Sequence, residues 1–434
     1  MSNRFQSGRI LGQMALVAAV GGIVLLAVTP VRAEPGGDWG VTLDSAATLR
    51  DSRQLDDQEW SQRLRGAIWG EYFLPLDNGG RVVLSAEGSY LYSDERDYLF
   101  DVDRLRVSSL HPGALGADGV LALDAGRFSF RDPTGLVLNH TADGVRTSLR
   151  FPTVTVEISG AYTGLLLNPS SRIRMTDADR GDEEDDDEFF GPARVLAQLT
   201  ARLPDLPGRQ SVSAGALAQW DLRDDDADMT LNSQYLSLLA TGPVVANLYH
   251  TNFVTLSTMQ TSLGSDSDTG TALLFGSSLR YLRADWLGSR FGAGFTYASG
   301  ADSGIDPFVP INEAPTGTVF RPRLTNLMTA RFTYAIRPWI TSQSQTAKNI
   351  ELSTGLRSFF RVQDGQPLEG GSLLAGLSLE DDDRYAGTEL EWAVRARLLP
   401  DLGAALTTGL FLPGSGAADA EPEFLGRFEL SLSL

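Results

Sequence analysis

From Asp38 to Leu434 the chain repeats one pattern: segments of about 10 to 14 residues that alternate apolar and polar side chains, separated by turn-rich stretches. A period of two sends successive side chains to opposite faces of a strand, so each segment presents one greasy face and one wet face. The last segment is the clearest. Phe428, Leu430, Leu432 and Leu434 share one face, opposite Arg427, Glu429, Ser431 and Ser433. In residues 60–74, Leu64, Ile68 and Tyr72 oppose Arg63, Arg65 and Glu71. In residues 386–399, Leu390, Trp392, Val394 and Leu398 oppose Glu389, Glu391, Arg395 and Arg397.

Nineteen segments read this way, 371–380 among them. A closed bacterial barrel has an even number of strands, with both termini and short turns on the periplasmic side and long loops outside. One of these readings is therefore wrong: parity between the two ends fails near residues 337–362, and a missed short hairpin there, or a misread segment elsewhere, would repair it. The expected fold is all-β: a single antiparallel transmembrane β-barrel of about 18 strands, within a range of about 16 to 20. Long acidic external loops are expected near 164–190 and 300–322, with Leu-Pro-Asp-Leu at 203–206 and 399–402 as periplasmic turns. The number of long strands, the apolar terminal strand and the lack of a repeat period disfavour a soluble sandwich or propeller.

The N-terminus supports export. Arg4 and Arg9 precede an uncharged run from Met14 to Val28, then Pro30 and Val31-Arg32-Ala33, the form of a signal peptide cleaved after Ala33. The run is shorter than the roughly 20 residues that span a bilayer, and no stretch of 18 apolar residues follows it. Residues 34–434 then form the barrel. The chain has no cysteine, which excludes a disulfide framework and thiol chemistry. Removing residues 1–33 takes away Arg4, Arg9 and Arg32 and no acid, so the formal charge moves from -19 to -22. That acidity excludes nucleic acid as a partner of the whole protein.

Function should be written on the lumen face, since outward residues answer only to lipid. The alternation places Arg63, Arg65, Arg146, Arg150, Arg194, Arg202, Arg331, Arg357, Arg361, Arg395 and Arg397 on that face, against Glu71, Glu157, Asp221, Glu351, Glu389 and Glu391. The inner wall comes out basic inside an acidic protein. Arginine rings favour anions and hold carboxylates or phosphates in a bidentate fork; the bland alternative is that arginine and glutamate pair across strands and only keep the wall wet and rigid. The acidic run Asp177 to Glu188, with Asp224-Asp225-Asp226 and Glu380 to Asp383, has no ordered calcium-ligand spacing and reads as solvated loop, so no metal or cofactor is implied. Catalysis has little to draw on. There are three histidines, His111, His140 and His250, and His140 near Asp132 and Asp143 is the one grouping from which a rim hydrolase can be imagined. The expectation is no enzyme.

Gly126-Arg127-Phe128-Ser129-Phe130-Arg131-Asp132-Pro133-Thr134-Gly135, continuing to Ala142-Asp143-Gly144-Val145, resembles a stretch of outer-membrane porins that includes the alginate-export-like family. The resemblance covers about 25 of the 434 residues. It implies an 18-stranded barrel with a narrowed, arginine-bearing pore for anionic or sugar-like solutes. It also implies that residues 131–142 fold inward as a constriction carrying Arg131, Asp132 and His140. The chain departs from the usual outer-membrane pattern by ending in Leu434 instead of an aromatic residue. The expected function is passive diffusion of small solutes across the outer membrane of a diderm bacterium. Outer-membrane lipid and the assembly machinery are the expected partners. The alternative is a plugged surface barrel acting as an adhesin or structural protein through its acidic loops.

Overall fold

The computed structural model describes residues 36–434 apart from 54, 56, 77–78, 95–98, 186–187, 224–228, 265, 302–303, 375 and 418–419. The expected signal segment 1–33 and the acids at 224–226 lie outside the described residues. The strands are β1 (Gly37–Ser52), β2 (Asp57–Pro75), β3 (Arg81–Ser93), β4 (Leu99–Pro112), β5 (Val120–Arg131), β6 (Asn139–Arg150), β7 (Thr155–Tyr162), β8 (Arg194–Leu206) and β9 (Gln210–Asp221). They continue as β10 (Thr230–Val245), β11 (Leu248–Leu263), β12 (Asp266–Arg283), β13 (Ser289–Ala298), β14 (Leu327–Ile336), β15 (Glu351–Arg361), β16 (Tyr385–Arg397), β17 (Leu402–Pro413) and β18 (Glu423–Ser433).

Each strand pairs antiparallel with its neighbours in sequence, and β1 closes on β18 with Thr42 opposite Ser433 and Ser52 opposite Glu423. Closure removes both sheet edges, as a strand structure in lipid requires. The 18 strands put both termini on one rim. That rim carries short turns such as 207–209, 246–247 and 398–401, while the long connections 163–193, 299–326 and 362–384 leave the opposite rim.

Two expectations need correction. Residues 371–380 are not a strand. Gly370, Gly371 and Gly376 take φ of 67°, 112° and 71°, turning the chain three times within seven residues, and the described residues of the stretch pair with no strand. The alternating Leu373, Leu377 and Leu379 instead pack against the buried apolar cluster. The loops near 164–190 and 300–322 do spring from the long-loop rim, but they fold into the barrel instead of projecting from it. Ile173, Met175, Phe308, Ile311, Val319 and Phe320 are all buried and form one cluster with wall residues Phe128, Phe130, Leu274, Phe359 and Phe411. A small helix α1 (Asp177–Glu184), opened by a capping box between Thr176 and Asp179, tops the first loop. Another, α2 (Gln345–Lys348), sits in the longer 337–350 connection at the short-turn rim, where the sequence reading lost parity.

Candidate functional site

The half of the lumen nearest the long loops is packed. The β5–β6 turn dives inward: Pro133 lies against Gly215 of β9, and Val137 and Leu138 are buried under the 299–326 loop, whose Ile311 N–H donates to the Val137 carbonyl at 3.0 Å. Asp132 organises this turn, accepting from the N–H groups of Thr134, Val137 and Leu138 at 2.8, 3.1 and 2.9 Å. The His140 Nε2 accepts from the Arg172 N–H at 2.9 Å, which leaves the ring proton on Nδ1 facing the Thr141 carbonyl. Both side chains are 3% exposed. They hold the inward turn in place and do not present themselves to a solute, which corrects their placement on a constriction rim; Arg131 stays exposed. The bound states of Asp132 and His140 also remove the grouping on which a hydrolase was imagined.

Two of the arginines expected in the pore are structural instead. Arg194 is fully buried between the wall and α1, with its Nη2 2.8 Å from Asp179 and 3.0 Å from Asp221. Burial works to raise the Asp179 carboxyl, but Arg194 and Arg223 outweigh it and hold it below the usual carboxylate range. Arg361, 3% exposed, donates to the carbonyls of Gln366, Glu380, Asp381 and Asp383 and so folds the 362–384 segment around itself. Neither can touch a solute. Alternation gave the correct face for both; it carried no information that loops would return to cover them.

The half nearest the short turns is open. A cavity of about 630 Å³ is lined there by Arg63, Arg65, Arg337, Arg395, Arg397 and Arg427, against Asp44, Glu351 and Glu429. Arg65 is bound to Asp44, Glu87 and Asp103, Arg337 to Glu351, and Arg427 to Glu429. Among the described residues, Arg63, Arg395 and Arg397 have no carboxylate within ion-pair distance. Arg395 meets only the Ser353 hydroxyl at 3.2 Å and Arg397 the Pro400 carbonyl at 2.9 Å. Arg331 and Arg395 also line an adjoining cavity of about 410 Å³. Arg331 sits opposite Arg357 in the β14–β15 register, and Arg357 opposite Glu389 in the next pair, so charges of both signs lie side by side on the β14–β16 wall.

The remaining expected residues lie on the far wall. Arg146 is paired with Asp124 at 2.9 Å and lies over the Phe128 ring. Arg150 and Arg202 flank Thr155 across β6, β7 and β8, and the Arg202 Nε reaches only the Ser211 hydroxyl at 3.4 Å.

The sequence reading missed the segment that separates the two halves. Glu389 accepts from the N–H groups of Thr318, Val319 and Phe320 at 2.8, 2.7 and 3.0 Å, which presses residues 316–321 onto the wall. Phe320 packs there edge-on against Phe359 and tilted against Phe411, at 5.1 and 4.8 Å between ring centres. Arg321 emerges from this segment toward Arg50 and Arg427. Burial and these two like charges depress its pKa, with Glu389 opposing them. A glutamate anchoring a loop some 70 residues earlier leaves no local signal in the sequence.

No family model matches the chain, and no curated protein does. Among solved structures the chain is similar to Pseudomonas aeruginosa OccD3 (OpdP), with a TM-score of 0.58 and 10% identity over 94% of this chain and 95% of that one. It is similar to the outer membrane protein OpdK from the same organism, at 0.54 and 12% over 92% and 99%. It is also similar to P. aeruginosa OccK2 (OpdF), solved in complex with glucuronate, at 0.57 and 12% over 94% and 99%. At such identities the likeness is one of fold. These neighbours lend no support to the narrower alginate-export-like resemblance; the chain shares the closed 18-stranded barrel fold of these outer-membrane porins.

Proposed function

We propose that this barrel is an outer-membrane pore through which small solutes diffuse passively, with a preference for anions. The observation that carries the reading is the open vestibule in which Arg63, Arg395 and Arg397 have no carboxylate partner. Guanidinium groups held in a narrow, low-dielectric channel lower the barrier for anions and raise it for cations. Arg321, crowded by Arg50 and Arg427 where the passage narrows, adds to the same field. Glucuronate, the ligand of one structural neighbour, carries a carboxylate of the kind such groups fork onto. The plugged-adhesin alternative would draw on the packed long-loop half, where loop residues such as Phe308 and Phe320 fill the lumen, and conductance separates the two readings.

The test is planar-bilayer recording with the refolded chain from residue 34 onward. The expected result is discrete conductance steps whose reversal potential in a salt gradient has the anion sign. Substituting Arg63, Arg395 and Arg397 together by Gln should move that potential toward the cation side while steps persist. A correctly folded barrel that leaves the bilayer silent would overturn the pore. Steps with unchanged selectivity in the triple variant would remove the role given to these arginines.

A further inference from the structure

The three long connections meet inside the long-loop half. Residues 172–174 and 311–313 run side by side as extended chain, with Ile173 bridged to Asn312 and the Glu313 N–H donating to the Arg172 carbonyl at 3.2 Å. Pro322 is bridged to Gly370 of the 362–384 segment, and the Arg323 N–H donates to the Glu369 carbonyl at 2.8 Å. A cavity of about 230 Å³ lies between the first two connections. Ile173 is buried in the apolar cluster, so alternation turns Arg172 and Arg174 together to the other side, where they line the cavity. Arg321, Arg323 and Glu313 line it as well.

The charges in this cavity do not balance. Arg323 is fully engaged: its Nη1 lies 3.1 Å from Glu369, its Nε 3.5 Å from Glu313, and its Nη2 donates to the Arg174 carbonyl. Arg172 gives one N–H to the Asn139 carbonyl at 3.0 Å, and Arg321 gives one to the Thr318 carbonyl at 3.1 Å. Among the described residues neither has a carboxylate within ion-pair distance, which leaves most of their N–H donors for an acceptor in the cavity. Arg180, 4.0 Å from Glu369, is itself paired with Asp177. The four guanidinium groups of the lining against Glu313 and Glu369 therefore leave two positive charges. Pro310, Pro315 and Leu324 wall the same space, so those charges give up water without gaining a counterion. The volume is below the roughly 300 to 1,000 Å³ of pockets that take drug-sized molecules, and at roughly 30 Å³ per water it has room for about eight water-sized groups.

We infer that this cavity is a binding site for a compact dianion, of the size and charge of a short dicarboxylate or sulfate. Two negative charges neutralise the excess, and the oxygens of such an anion accept from guanidinium forks. The site also lies beside the vestibule. Arg321 lines it and is crowded by Arg50 and Arg427, and Arg427 lines the open cavity of the short-turn half. An anion that leaves past Arg321 meets the vestibule arginines next. That route rests on the pore reading; the binding itself does not.

The test is protection of a thiol placed on the cavity wall. Because the chain has no cysteine, Ala314→Cys supplies a single thiol there. In the detergent-refolded chain from residue 34 onward, succinate should slow its reaction with a small uncharged thiosulfonate. The succinate midpoint should be at least tenfold below that of acetate at equal ionic strength, where screening is the same for both. Sulfate should protect as succinate does. Arg172→Gln should raise the succinate midpoint about tenfold or more, the usual effect of losing a charged hydrogen bond. Circular dichroism of each variant checks that the barrel has formed, and calorimetric titration of the unsubstituted chain gives the preference for succinate over acetate without any substitution. Equal affinities for succinate and acetate, an unchanged midpoint in folded Arg172→Gln, or succinate binding that leaves the Ala314→Cys thiol unprotected would overturn the inference. All of this is read without a bilayer, so a barrel that binds succinate here but does not conduct would lose the pore reading and keep this site.

Discussion

The two halves of the lumen share one wall and one alternation, yet they differ in what the inward side chains meet. Toward the long loops the inward residues are Phe128, Phe130, Phe359 and Phe411, and they meet loop residues Phe308, Ile311, Val319 and Phe320 in a dry core. Toward the short turns the inward residues are Arg63, Arg395 and Arg397, and they meet open space. The barrel therefore has a water-soluble protein's kind of interior at one end and an open, arginine-lined cavity at the other. Loop length decides which: turns of two to four residues at 246–247 and 398–401 cannot reach back into the lumen, while connections such as 163–193 and 299–326 can.

Removing what fastens a loop to the wall should break the difference most strongly. Arg194→Leu leaves the buried Asp179 and Asp221 with Arg223 alone to offset both charges. The expected loss is about 3 to 5 kcal/mol, the usual consequence of breaking one partner out of a buried ion network. Urea titration of the detergent-refolded protein measures it, and equal midpoints for variant and wild type would show that α1 contributes nothing to stability. Next, Phe320→Ala should cost about 3 to 4 kcal/mol by opening a cavity between Phe359 and Phe411. If the 316–321 segment narrows the passage, the same variant should raise single-channel conductance, so one substitution turns part of the packed half toward the open one.

Acid tests the clasp by a different route. The Asp179 carboxyl titrates below its ordinary range in the folded protein, so its contribution is present above the unfolded-chain value near about 3.9 and is lost as pH falls through the lower folded value. The clasp should stay shut from neutral pH down to about 4 and loosen only below that. Limited pepsin digestion at stepped acid pH reads this directly: cleavage within 163–193 should begin only below that point, and in Asp179→Asn it should already occur there.

The strands were legible because period two is a local signal and each strand carries it in full. Residues 371–380 show its limit. Leu373, Leu377 and Leu379 alternate as a strand would, but a face packed on a loop core and a face in lipid look alike in sequence. The lumen arginines were legible as a set for the same reason, since their neighbours on each strand are apolar and must face out. Their division into those that line open space and those that loops cover was not. Arg194 and Arg361 are covered by α1 and by the 362–384 segment, and the partners that hold these covers are distant in the chain or are backbone carbonyls, which leave no side-chain signature.

The smallest expected effect sharpens the comparison within the arginines themselves. Arg146 faces the lumen but is already bound to Asp124 through Nε at 3.1 Å and Nη2 at 2.9 Å, and it lies over the Phe128 ring. The pair presents no net charge to a passing ion, and fields from neutralised pairs fall off within a few ångströms in salt. Arg146→Gln uncovers the Asp124 carboxylate, the same change of one charge, but beside Phe128 of the packed cluster and outside the open cavity that Arg63 lines, so it should shift the reversal potential toward cations by less than the single Arg63→Gln change. Reversal potentials of the two variants in the same salt gradient decide it. A larger shift for Arg146 would mean that solutes pass along the β5–β6 wall, and that the open vestibule beside β2 and β16 is not the part of the lumen that selects.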